Sequence, residues 1–144
     1  MNAYDPRGGK GKISHGGTFN ANPVTMAGGV ATMKELTPEA YARLDALGDR
    51  LRAGVGRVLA KSKQPAQVTG LGSLFWIHWT KKRLSDYRSS RPADAERPLR
   101  TFLGLLNDGV LLTQRGLGCC SLAMTDADVD RFVETFGRVV AKDS

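Results

Sequence analysis

In the stretch SHGGTFNANPVTMAGG, Ser14 to Gly29, two glycines and a threonine stand just ahead of a helix start. Gly16 and Gly17 open backbone conformations closed to other residues and let another group approach closely. Thr18 adds a hydroxyl and an N–H. Free backbone N–H groups and a hydroxyl converging on one point suit an anion such as a phosphate or a carboxylate. The pattern is neither a P-loop nor a strand-borne GxGxxG, so spacing alone favours a plain glycine-rich connector over an anion site.

The other chemistry-bearing residues offer less. The two histidines, His15 and His78, have no spaced cysteine or carboxylate cluster beside them, which argues against a metal site. His78 alternates with large apolar residues and reads as a packed or edge residue rather than a base. Cys119 and Cys120 are sequence neighbours, so in an extended strand they point to opposite faces and do not bridge each other easily. They are expected to fill space.

The elements that must carry these residues are legible from their caps and periods. Asn22 is a good N-cap and Pro23 suits the first helical position, which predicts a helix over 23–36 with Val24, Ala27, Val30, Ala31 and Leu36 apolar. Thr37-Pro38-Glu39 opens a second helix to about Ala60, with Tyr41, Leu44, Leu47, Leu51, Val55, Val58 and Leu59 at helical spacing. From Gln67 the period becomes two. Phe75, Ile77 and Trp79 fall on one face and Leu74, Trp76 and His78 on the other, with Gly70 and Gly72 marking a bend. The polar, proline-interrupted run 81–97 reads as a surface excursion or lid. Pro98 starts a third helix that NDG at 107–109 stops. VLLT then reads as a strand and CCSLA as its antiparallel partner. Thr125 with Asp128 forms a capping box before a last helix buried through Val129, Phe132, Val133, Phe136 and Val140. The expected fold class is α+β: a four-stranded, mainly antiparallel sheet with helices covering one face.

The 144 residues suit one domain with a real core, and 41% hydrophobic content points to a globular chain. No apolar run approaches the roughly 20 residues of a membrane span, and the N-terminus lacks a signal-peptide core, so a cytoplasmic location is expected. The net charge of +7 raises nucleic acid as a partner. Its basic residues are scattered, however. Arg43, Arg50, Arg52 and Arg57 share a helix with Glu39, Asp45 and Asp49, and no nucleic-acid motif appears, so a solvated basic face is expected and neither nucleic acid nor a membrane as partner.

HGGTFNANPVTMAGGVATMKELT, GLGSLFWIHW and LLNDGVLLTQRGLGCCSLAMTDADVDRF together, in this order and over nearly the whole chain, resemble the C-terminal part of class III (subgroup II) aminotransferases of pyridoxal phosphate (PLP) fold type I, in the branch of glutamate-1-semialdehyde 2,1-aminomutase and the β-amino-acid aminotransferases. The resemblance implies a PLP-dependent homodimeric parent enzyme acting on a small amino-acid substrate. It implies that Gly17 and Thr18 hold the phosphate of the neighbouring subunit's PLP. It also divides the chain into a remnant of the large cofactor domain (1–22), a connecting helix (23–36) and the C-terminal small domain (37–144). The Schiff-base lysine and the aspartate that pairs with the pyridine nitrogen lie upstream of this region in the family. Lys10 and Lys12, in a glycine-rich arm expected to fray, do not match that lysine. The chain is therefore expected to be a piece of a larger enzyme, without catalytic residues of its own and inactive alone.

One departure bears on substrate choice. Where the aminomutases carry a glutamate shortly before SLA, this sequence has Gly116. TQRGLGCCSLA looks more like the β-amino-acid branch, in which an arginine at this turn pairs with a substrate carboxylate. Arg115 matches that arginine, and a planar guanidinium donates bidentately to a carboxylate. An exposed turn arginine is the competing reading. At the level of the whole chain, the alternative is a stand-alone binding or regulatory module that pairs with full-length subunits.

Overall fold

A computed structural model describes residues 17–62, 64–91, 94 and 96–142. The chain divides after Thr37 into two units, Met1–Thr37 and Pro38–Ser144. The expectations for His15, Gly16, Lys10, Lys12 and a frayed arm fall outside the described residues.

In the first unit, Asn22 is extended and its Oδ1 accepts from the N–H groups of Val24 and Thr25 at 3.0 and 3.3 Å. Two donors that the first turn cannot satisfy internally are thereby paired. Helix α1, Pro23–Glu35, follows with proline in its first turn. None of its residues is buried, and Val24, Met26, Val30 and Met33 are all more than half exposed.

In the second unit, α2 (Pro38–Ser62) and α4 (Asp126–Lys142) pack on each other and against a sheet of three strands, β1 (Gln67–Thr69), β2 (Leu74–His78) and β3 (Leu117–Cys119). Helix α3 spans Arg97–Asn107. The core joins Leu47, Leu51, Val55 and Leu59 of α2 to Phe75 and Ile77 of β2, Trp79 just beyond it, and Val129, Phe132, Phe136 and Val140 of α4. Phe75 meets Phe132 edge-on with centroids 5.4 Å apart, and Phe132 stacks on Phe136. These contacts follow the alternation expected for 74–79. The opposite face is less covered, with Leu74 exposed, Trp76 half-buried and His78 buried.

Strand β2 is central and both of its pairings are antiparallel, Val68 opposite Ile77 and Phe75 opposite Gly118. Gly72 makes the bend between β1 and β2 with φ +57°, a conformation that favours glycine. Helix α3 ends as NDG predicts: Gly109 at φ +78° donates to Leu106 and Val110 donates to Leu105. Thr125 and Asp128 form the capping box, with the Thr125 N–H donating to Asp128 Oδ2 at 2.7 Å and the Asp128 N–H to Thr125 Oγ1 at 3.4 Å.

Two expectations are corrected. The sheet has three strands among the described residues, because VLLT forms no strand and β3 pairs with β2 instead. Thr113 explains the difference: its hydroxyl donates to the carbonyl of Leu117 and accepts the N–H of Leu117, occupying with a side chain the groups a strand partner would have used. Arg52, counted with the solvated basic residues, is largely covered. Its guanidinium donates to the carbonyls of Gly72 and Leu74 and to Asp49, fastening α2 to the β1–β2 bend.

Candidate functional site

Arg115 lies in the turn between Thr113 and Leu117. The Gly116 N–H donates to the Thr113 carbonyl at 2.9 Å and the Ile77 N–H donates to the Gly116 carbonyl at 3.0 Å, so the turn is hooked onto β2 just where β3 begins. Gly116 has φ +81°, and a Cβ there would stand 2.8 Å from the Ile77 carbonyl oxygen. Glycine is required at this place by conformation and by space. The Trp76 indole adds a further anchor, its Nε1–H donating to the Arg115 carbonyl at 2.8 Å.

The Arg115 side chain is exposed on the rim of a cleft of about 350 Å³ that Trp76, His78, Tyr87, Arg91 and Gln114 also line. Two guanidinium groups beside aromatic rings suit a ligand with an anionic end and an apolar body. His78 is only 5% exposed. Its Nε2 pairs with Thr69 Oγ1 at 2.9 Å, its ring lies 4.8 Å from that of Trp76, and burial pushes its pKa below the usual histidine value. It is a packed residue, as its alternation indicated. Behind the cleft, the Arg97 guanidinium lies over the Trp79 ring, 4.9 Å from its centroid.

Cys119, the last residue of β3, is exposed and Cys120 is buried, so the two point to opposite sides as expected but only Cys120 fills space in the core. Burial raises the Cys120 thiol pKa, which keeps it protonated and unreactive. Among the described residues, no three His, Cys, Asp or Glu side chains are grouped so as to hold a metal ion, and no helix is long and apolar enough to cross a membrane.

Gly17 and Thr18 belong to the first unit and Arg115 to the second. Both residues of the pair are exposed, and the Gly17 carbonyl accepts the Asn20 N–H at 3.0 Å in the turn leading to Asn22. A Cβ on Gly17 would come 3.1 Å from Asn20 Oδ1, tighter than ordinary contact. The loop thus offers the N–H and hydroxyl of Thr18 next to a residue without a side chain, a donor set that fits a phosphate.

Trp76, Tyr87 and Arg91 were not singled out from the sequence. Alternation puts Trp76 on the outer face of β2, but no sequence pattern marks its bond to Arg115, which itself came from the family resemblance. Tyr87 and Arg91 sit in the polar excursion, where no periodicity marks them, and only the tertiary fold brings them to the cleft.

With this geometry in view, the relatives are informative. The chain is 36% identical over 141 residues to a β-phenylalanine transaminase of Variovorax paradoxus, covering 97% of the chain and 32% of that protein. It is 30% identical over 128 residues to a glutamate-1-semialdehyde 2,1-aminomutase of Methanococcus maripaludis, covering 89% and 29%. Among solved structures, an omega-transaminase from Sphaerobacter thermophilus superimposes with a TM-score of 0.80 at 44% identity, over 98% of this chain and 33% of the other. A transaminase with PLP bound gives a TM-score of 0.73 at 29% identity, over 99% and 32%. The homologues of the chain are class III aminotransferases and glutamate-1-semialdehyde aminomutases. The chain spans about a third of the length of these relatives and corresponds to their C-terminal portion. No family model matches it.

Proposed function

We propose that the chain is the C-terminal part of a PLP-dependent transaminase that moves an amino group from a carboxylate-bearing amino acid, in a homodimer where Gly17 and Thr18 hold the cofactor phosphate. Residues 23–36 act as the connecting helix and 37–144 as the small domain. Arg115 carries the reading: an exposed guanidinium on a turn anchored to the sheet, at the rim of a cleft with aromatic walls. Its task is to bind and orient the substrate carboxylate, for which a bidentate fork is well shaped. The Thr18 hydroxyl and N–H would hold the phosphate, and Gly17 leaves the room to approach it. The cofactor, when bound, supplies the electron sink for the transfer.

Transfer is favoured over the aminomutase reaction by Gly116. The glutamate expected there from the aminomutase pattern has no room, since even a Cβ would meet the Ile77 carbonyl at 2.8 Å. With the lysine expected upstream, the chain alone is expected to be inactive.

The test is a pair of variants in the holoenzyme. Thr18→Val should weaken PLP retention through dialysis, since a hydrogen bond to a charged group is worth roughly 1.5–3 kcal/mol. Arg115→Ala should retain PLP and raise KM selectively for donors that carry a carboxylate. Retention of PLP by Thr18→Val at the wild-type level would remove the phosphate role, and equal weakening of all donors by Arg115→Ala would remove the carboxylate role.

A further inference from the structure

We infer that Trp76 is a positioning residue for Arg115, and that its indole N–H, rather than its ring surface, sets the preference for carboxylate-bearing donors. The inference rests on the carboxylate role of Arg115 proposed above and goes beyond it by naming what holds that arginine in place.

Arg115 is exposed, and a long exposed side chain on a free turn would lose much of its binding power to conformational entropy. The turn itself is closed at its ends by Thr113, whose carbonyl accepts the Gly116 N–H and whose hydroxyl bonds both backbone groups of Leu117. Of those bonds only the one from the Gly116 N–H reaches the Arg115–Gly116 peptide group, and it leaves the carbonyl of that group without a donor. The Arg115 carbonyl is held by the Trp76 indole alone among the described bonds, at 2.8 Å and across 39 residues of sequence.

The donor is in turn fixed from behind. Trp76 stands in the central strand, paired in register with Thr69 on one side and Leu117 on the other. Its ring lies against that of His78, and His78 is held by Thr69 Oγ1 at 2.9 Å. A continuous path therefore runs from the backbone of β1 through Thr69, His78 and Trp76 to Arg115. A rigid strand is a better base for a binding group than the loop that carries it. The aromatic ring of Trp76 also lines the cleft, so deletion of the whole side chain would confuse two effects. Trp76→Phe separates them, because it keeps a ring against His78 and removes the N–H.

The inference is tested in the holoenzyme by comparing Trp76→Phe with Arg115→Ala. The quantity read is the ratio of kcat/KM for a carboxylate-bearing donor to that for a carboxylate-free amine. Trp76→Phe should lower this ratio about two- to tenfold, the size set by loss of one hydrogen bond, mainly through KM. In parallel, the backbone order parameter of the Arg115 N–H should fall from about 0.85, typical of rigid backbone, toward the roughly 0.6 of flexible segments. A wild-type ratio in Trp76→Phe, or an unchanged order parameter, overturns the inference while leaving the carboxylate role intact. If Arg115→Ala leaves the ratio unchanged, the carboxylate role itself fails. Loss of order in Trp76→Phe would then mark the indole as purely structural, and the inference falls with it.

Discussion

Gly54 of α2 faces Val133 of α4 so closely that a Cβ on the glycine would lie 2.5 Å from Val133 Cγ2. The two helices that form the floor of the core meet at a point with no room for a side chain. Gly54→Val should destabilise the second unit by about 1–3 kcal/mol, the usual cost of overpacking. Val133→Ala in the same chain should recover part of that loss, because it removes the methyl groups that clash. A denaturant series on the two single variants and the double variant reads the coupling directly, and strictly additive losses would mean that the helices shift apart instead.

The start of α4 gives a second prediction. Thr125→Ala should cost about 1 kcal/mol, as for other caps. The backbone N–H and then the hydroxyl of Thr125 hold the Asp128 carboxyl below its ordinary value. A carboxyl with a depressed folded pKa contributes stability above its unfolded value of about 3.9 and loses it as pH falls through the folded value. The stability gap between wild type and Asp128→Asn should therefore close on acidification below about pH 4. A gap that stays constant down to the acid limit would separate the cap from the ionisation of Asp128.

The same residues show which features a sequence exposes. Caps and apolar periods are local, so Asn22, Thr125 with Asp128, and the stripe Leu44, Leu47, Leu51, Val55 and Leu59 were legible, as was the NDG stop after α3. VLLT was not, because its strand character depends on what its neighbours pair with. Thr113 turns back on Leu117 with its hydroxyl, and β3 goes to β2. Arg52 misled for a similar reason, since its acceptors are backbone carbonyls at 72 and 74 that no composition or charge pattern marks. At the candidate site Arg115 was found through a family resemblance, whereas Tyr87 and Arg91 reach the cleft only through the course of the 81–97 excursion.

Gly116 yields a third prediction. With φ +81° and the Ile77 carbonyl 2.8 Å from where a Cβ would stand, alanine is strained by conformation and by contact together. Gly116→Ala should destabilise by more than the roughly 1 kcal/mol involved where alanine fits the backbone. It should also weaken the Ile77 N–H bond to Gly116, seen as faster hydrogen exchange at Ile77 in the variant than in the wild type. Unchanged exchange at Ile77 would mean that the turn accommodates the methyl group without leaving β2.

His78 provides the last. Its ring is buried against Trp76 and its Nε2 is engaged by Thr69, while Nδ1 is buried with no hydrogen-bond partner among the described residues. Desolvation lowers its pKa, so the folded chain prefers the neutral ring. The unfolded chain takes up a proton as pH falls through about 6.5, and the folded chain does so only at lower pH. Between the two values the unfolded state binds more protons, so stability declines as pH falls and levels off below the folded pKa. His78→Gln has an amide that can still reach Thr69 but does not titrate in this range. Thermal melts from about pH 7.5 to about pH 5 should show a smaller decline in Tm for His78→Gln than for wild type, because the His78 contribution in that window is gone. Parallel curves would mean that His78 is protonated as easily in the fold as in the unfolded chain, and that its burial carries no electrostatic cost.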